Sequence, residues 1–177
     1  GLITKVWQSG LLKKSGSGNI TFIGELQFWN YGSGTPIIDF SAGNPNVELR
    51  GGIEIQQTNG NYSLPAILTG TGTWTFTTNN QTIRSSSGST NILTTDCNVI
   101  ISGAITLTNS VTWNTRGTIN GDNVSSTLLN SSTLRIFTLT QPMVTGIFDI
   151  TTITTNTIGY YQNGAFTIPL GSYKNLE

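Results

Sequence analysis

The sequence predicts an all-β chain wound into a single-stranded parallel β-helix, a solenoid of about five coils with a repeat of about 26 residues. Three observations carry this prediction. A ten-residue pattern, Asn, apolar, x, apolar, x, Gly, x, apolar, x, apolar, recurs without gaps at residues 19–28, 46–55 and 98–107. Charged residues are only 9% of the 177-residue chain, while 21 Gly, 30 Thr, 17 Ser and 18 Asn supply an uncharged polar surface. Four Trp and seven Phe recur along the chain, which a disordered segment would lack.

In chain order, residues 1–18 read as an N-terminal cap or lead-in, 19–142 as the coils, and 143–177 as a last coil with a C-terminal cap. Each coil opens on an Asn, at Asn19, Asn46 and Asn98, spaced by one and then two periods of about 26. That spacing places degenerate copies near Gly72 and near Val124. Within a copy, apolar residues alternate with period two and mark two short strands: Ile20 and Phe22 then Leu26 and Phe28, Val47 and Leu49 then Ile53 and Ile55, Val99 and Ile101 then Ile105 and Leu107. Gly24, Gly51 and Gly103 stand between those strands, where the chain must bend and a Cβ would obstruct it. A third apolar stretch follows at 37–40, 64–68 and 92–93, after connectors rich in Gly, Asn and Ser. Three short strands per repeat describe one coil, and stacked coils bury a continuous apolar column. A β-sandwich is the alternative; it accounts for strand length but not for a pattern repeated at multiples of 26.

Composition bounds function by exclusion. Formal net charge is zero and the densest basic stretch is Lys13 and Lys14, so a nucleic-acid footprint is not expected. No apolar run is long enough to span a bilayer, so no membrane insertion is expected. With one cysteine, Cys97, and no His, neither an intramolecular disulfide nor a transition-metal site nor a His-based triad can be built, and no cofactor is expected. Leu176 and Glu177 read as an appended end, so the natural polypeptide is expected to be longer. Five glycosylation sequons, at Asn19, Asn61, Asn80, Asn123 and Asn130, are what composition alone supplies.

Two groups of residues are candidate sites. Glu48 and Arg50 fall on the outer face of one strand, Glu54 on the next strand of that coil, and Glu25 one coil away. Glu25, Glu48 and Glu54 are the weak candidates for the paired carboxylates of a glycosidase, roughly 5–10 Å apart; surface charges in partial ion pairs are the plainer reading. Trp29 and Tyr31 follow an inward Phe28 at the end of a strand, so alternation sends Trp29 outward or into the corner, and sugar rings stack on exposed aromatic faces. Trp29, Tyr31 and Arg50 are therefore the candidate ligand-binding residues. Thr-rich runs do not give an ice-binding array, because the outward positions read Thr21, Glu48, Ile100 and Ile23, Arg50, Ser102.

Over residues 19–140 the repeat and the Thr-, Asn- and Gly-rich strands resemble the right-handed parallel β-helix proteins, a class of phage and viral tailspikes and spikes, bacterial surface adhesins and pectate-lyase-like enzymes. The resemblance implies a right-handed coil and a carbohydrate or cell-surface partner; no catalytic motif of the class matches residue by residue. The expectation is a virion structural or attachment protein, a spike or fibre segment at the virion surface or outside the cell. It would be a homotrimer that binds host-surface glycan and would not act as an enzyme. Outward Ile23 and Ile100 are candidates for the subunit interface. A bacterial adhesin module is the alternative, and a polysaccharide-cleaving glycoside hydrolase or lyase the second alternative.

Overall fold

A computed structural model of the chain describes residues 3–7, 10–30, 34–57, 66–86, 91–150, 156–162 and 175–176. Strands β1 (Thr4–Trp7) and β2 (Leu11–Lys13) form a partial coil. Five three-strand coils follow: β3 (Ile20–Phe22), β4 (Leu26–Asn30) and β5 (Ile37–Asp39); β6 (Val47–Leu49), β7 (Ile53–Gln57) and β8 (Ala66–Thr69); β9 (Thr73–Phe76), β10 (Gln81–Ser85) and β11 (Ile92–Thr95); β12 (Asn98–Ile101), β13 (Thr106–Asn109) and β14 (Thr112–Thr115); β15 (Ile119–Gly121), β16 (Thr127–Asn130) and β17 (Thr133–Ile136). A further partial coil holds β18 (Ile147–Asp149) and β19 (Thr157–Tyr160), with β20 (Asn175–Leu176) paired to β19.

Equivalent strands stack into three sheets in which every pairing is parallel. Sheet A runs β1-β4-β7-β10-β13-β16-β18, sheet B runs β2-β5-β8-β11-β14-β17-β19-β20, and sheet C runs β3-β6-β9-β12-β15. The molecule is a parallel β-solenoid of about five turns, as the repeat predicts, and none of the described residues is helical. No helix of the described residues is long and apolar enough to cross a membrane.

Period-two alternation fixes which residues enter the core. On sheet C, Val47, Trp74, Val99 and Ile119 form one inward column, and Phe22, Leu49, Phe76 and Ile101 the next. The Trp74 ring stacks 6.3 Å from Phe22 and 5.8 Å from Phe40, which joins sheets B and C. Trp113, fully buried on sheet B, satisfies its indole N–H on Thr95 Oγ1 at 2.9 Å. Each such side chain contributes roughly 1.5–3 kcal/mol on burial.

The repeat is not strictly periodic, and two sequence expectations change for that reason. Ile20, Val47, Trp74, Val99 and Ile119 stand in one column, in steps of 27, 27, 25 and 20 residues. The fifth coil therefore starts at Ile119, and Val124, expected to mark it, lies 78% exposed in the turn that follows β15. The corner between sheets C and A also lengthens after the second coil. Ile53 pairs with Ile83, and Ile83 with Asn109, so Ile105, aligned with Ile53 in sequence, sits partly buried in the corner before β13. The buried Gln81 side chain occupies the lengthened corner, accepting from the Gly52 N–H at 2.8 Å and donating to the Leu49 carbonyl at 2.9 Å.

At the corner between sheets A and B the fourth and fifth coils are tight and carry a buried asparagine ladder. Asn109 donates to Asn130 Oδ1 at 2.8 Å, Asn130 donates to the Ser132 carbonyl at 2.9 Å, and both residues are fully buried. Their amides supply the donors and acceptors that a sharply turning backbone leaves open. The sequon at Asn130 is thereby closed to modification.

Candidate functional site

Outward positions of sheet A bring together residues from four coils. Register places Lys5, Gln27, Glu54 and Arg84 in one column, with Trp7, Trp29 and Gln56 in the column beside it. Glu25 joins them from the corner that Gly24 opens just before β4.

These side chains form a connected network. Gln27 Nε2 donates to Glu25 Oε2 at 3.1 Å and to Glu54 Oε2 at 2.5 Å, so one amide nitrogen joins two carboxylates. Arg84 donates to both Glu25 oxygens, at 2.9 and 3.0 Å, and its Nη2 lies 3.2 Å from Glu54 Oε2. Trp29 Nε1 donates to Gln27 Oε1 at 3.0 Å. The Trp7 and Trp29 rings lie 5.0 Å apart, tilted by 54°, and Lys5 Nζ sits 3.9 Å from the Trp29 centroid. Burial falls across the network: Glu54 is 2% exposed although it points outward, Glu25 and Trp29 are half-buried, and Trp7 is 53% exposed.

The electrostatics follow from this arrangement. Burial pushes the Glu25 pKa up, but hydrogen bonds from Arg84 and Gln27 and the Arg84 charge outweigh it, and the carboxyl ionises below its ordinary range. Arg84 is held more firmly protonated by its hydrogen bond to Glu25. Such a network holds donors and acceptors at fixed positions beside the tryptophan pair. A general acid for glycoside cleavage needs the opposite shift, a carboxyl raised toward neutrality.

The other expected residues lie apart. Glu48 and Arg50 are on the outer face at sheet C, where Arg50 donates to Glu48 at 2.9 and 3.1 Å. Thr21 and Thr77 donate to the same carboxylate at 3.2 and 2.9 Å. The Arg50 hydrogen bonds, then that of Thr77, bring the Glu48 pKa down to about 2. A groove of about 290 Å³ runs beside it, lined by Asn19, Thr21, Asn46, Glu48, Thr75 and Thr77. Tyr31 lies outside the described residues. The sequence set Glu25 and Glu54 in one hypothesis and Trp29 in another; the register unites these three and leaves Glu48 and Arg50 on a different wall.

The repeat residues carry the coil-to-coil joints. Asn46 Oδ1 accepts from the Thr73 N–H at 3.4 Å, and Asn98 Oδ1 from the Thr118 N–H at 3.0 Å, each bridging to the following coil. Gly24 and Gly51 stack so closely that a Cβ on Gly51 would stand 2.3 Å from the Gly24 carbonyl carbon. Gly103 has open space around it and needs glycine for its φ of 77°. Cys97 is buried, and desolvation drives its thiol pKa up, away from reactivity. Among the described residues no three His, Cys, Asp or Glu side chains are grouped to hold a metal ion.

Sequence reasoning missed Lys5, Trp7, Gln27 and Arg84. Gln27 was legible as the outward residue between Leu26 and Phe28. Arg84 was not, because it lies 30 residues from its register partner Glu54 and outside the 26-residue period. No protein-family model matches this chain, and searches of curated proteins and of solved structures return no match.

Proposed function

We propose that this chain is a rigid display scaffold, a segment of a virion spike or fibre that attaches to host-surface carbohydrate through the outer wall of sheet A. One observation supports the reading above others: a tryptophan pair, exposed Trp7 and half-buried Trp29, beside a fixed polar network of Gln27, Glu25, Glu54 and Arg84. An aromatic face with a few positioned hydrogen-bonding groups is the chemistry that orients a sugar ring. The solenoid supplies rigidity, because each strand is hydrogen-bonded into a sheet spanning the stack. Glu25 stays ionised in this role and serves as an acceptor for sugar hydroxyls, so the proposed activity is binding without bond cleavage.

Assembly as a homotrimer accompanies this reading, with exposed Ile23 at the subunit interface. Sedimentation velocity then gives a particle of three 18.9 kDa chains; a monomer at high concentration removes the trimer. A glycan array spanning neutral and acidic host and bacterial polysaccharides tests the wall itself. The reading predicts a saturable ligand whose affinity falls at least tenfold in Trp7→Ala with the fold unchanged by circular dichroism. An array with no saturable ligand, or binding that Trp7→Ala leaves intact, overturns it.

A further inference from the structure

A second site stands on a different wall, near the other end of the solenoid, and owes nothing to the tryptophan pair. Three of the four arginines carry carboxylate partners: Arg50 on Glu48 at 2.9 Å, Arg84 on Glu25 at 2.9 Å, and Arg116 on Asp96 at 3.2 Å. Arg135 has none among the described residues. It points outward from β17, half-buried, and its Nε is closed off from solvent without a hydrogen-bond partner. Its register neighbour on β14, Asn114, presents a side-chain oxygen that is likewise buried and without a donor. An unpaired donor and an unpaired acceptor thus sit on adjacent strands, each bearing a desolvation cost.

Further groups surround this pair. Beyond Arg135 the column continues to Gly159, over which the Tyr161 ring packs, 2.5 Å from where a Cβ would stand. In the neighbouring column Phe137 and Tyr161 stack with centroids 5.1 Å apart, and the Arg116 guanidinium lies 5.9 Å from the Phe137 ring. On the other side Thr133 and Thr157, paired in register, line the wall. The face therefore offers a cation, a hydrogen-bond acceptor, an aromatic stack and hydroxyls.

We propose that this outer face of sheet B, at Asn114, Arg135, Phe137 and Tyr161, binds a carboxylate-bearing sugar, with Arg135 taking the carboxylate and Asn114 accepting a ring hydroxyl. A planar guanidinium matches a carboxylate in two-point geometry. The Asn114 oxygen needs a donor, which a sulfate ion, bearing acceptors alone, does not bring. A uronic or sialic acid carries both.

The test is a titration of the full chain followed by the Arg135 Nε–Hε signal in a proton–nitrogen correlation spectrum. The probes are methyl β-D-glucuronide, N-acetylneuraminic acid, neutral methyl β-D-glucoside, and sodium sulfate. A saturable shift of that signal is expected with one of the acidic sugars and none with the glucoside or with sulfate; the affinity, read in every variant from the backbone amide signals of residues 114 and 137, falls at least tenfold in Arg135→Gln and in Asn114→Asp. Trp7→Ala leaves it unchanged, so this site and the sheet A wall succeed or fail separately. The proposal is overturned by no saturable response to either acidic sugar, by a response to sulfate of equal strength, by binding that survives Arg135→Gln, or by a ligand-free Nε–Hε already hydrogen-bonded to Asn114.

Discussion

Glu54 sits on the outward side of its strand yet is sealed from solvent, and its charge is supported by Arg84 and Gln27. Removing the guanidinium leaves a buried carboxylate short of its cation. Arg84→Met should cost about 3 kcal/mol, the low end for a broken buried pair because the Arg84 side chain is 45% exposed. Adding Glu54→Gln should restore part of that loss, and urea unfolding of the single and double variants reads the coupling. Asn130 is the counterpart at a corner: Asn130→Ala removes the acceptor for the Asn109 amide and the donor to the Ser132 carbonyl, and should cost about 2–3 kcal/mol by the same measurement. Glu48 gives a pH signature. Its folded pKa is depressed, from 4.5 to about 2, so its contribution is present above pH 4.5 and disappears as pH falls through about 2. The stability difference between wild type and Glu48→Gln should be widest above pH 4.5 and close toward pH 2. At this scale the sequence named Glu25, Glu54 and Trp29 but not their partners Lys5, Trp7, Gln27 and Arg84. Arg84 and Glu54 meet only through a register that no local pattern encodes.

Strands and corners differ in how far they could be read in advance. The strands follow from alternation: Ile20 and Phe22, Val47 and Leu49, Val99 and Ile101 each announce an inward face, and each is found in sheet C. Corners change length without a hydrophobic signal, which is why Ile105 left the column that the ten-residue pattern assigned it. Glycines at corners also differ in kind. Gly51 packs against the backbone of the coil before it, so Gly51→Ala forces two coils apart and should cost about 3 kcal/mol, the upper end for overpacking. Gly103 has room for a methyl group but holds a left-handed φ, so Gly103→Ala should cost about 1–2 kcal/mol. Thermal melts of the two variants should rank them in that order.

Across the whole molecule, stability comes from stacking: each coil rests on its neighbours, and the core is a column running the length of the solenoid. Such a column leaves sheet edges at its ends. The N-terminal edge strands carry Lys5 and Lys13, charges that discourage edge-to-edge pairing, beside exposed Trp7, Leu11 and Leu12. Fold class was legible because a solenoid repeats its own pattern, whereas a wall assembled from four coils is visible only once the coils are stacked in register. Everything proposed for sheets A and B rests on that parallel register. Backbone proton–proton contacts from nuclear magnetic resonance test it most directly. Parallel cross-strand contacts are predicted to link Thr21 with Glu48, Glu48 with Thr75, and Ile100 with Asn120. Strong α-proton to α-proton contacts between strands adjacent in sequence, such as β3 and β4, would signify antiparallel pairing and contradict the solenoid.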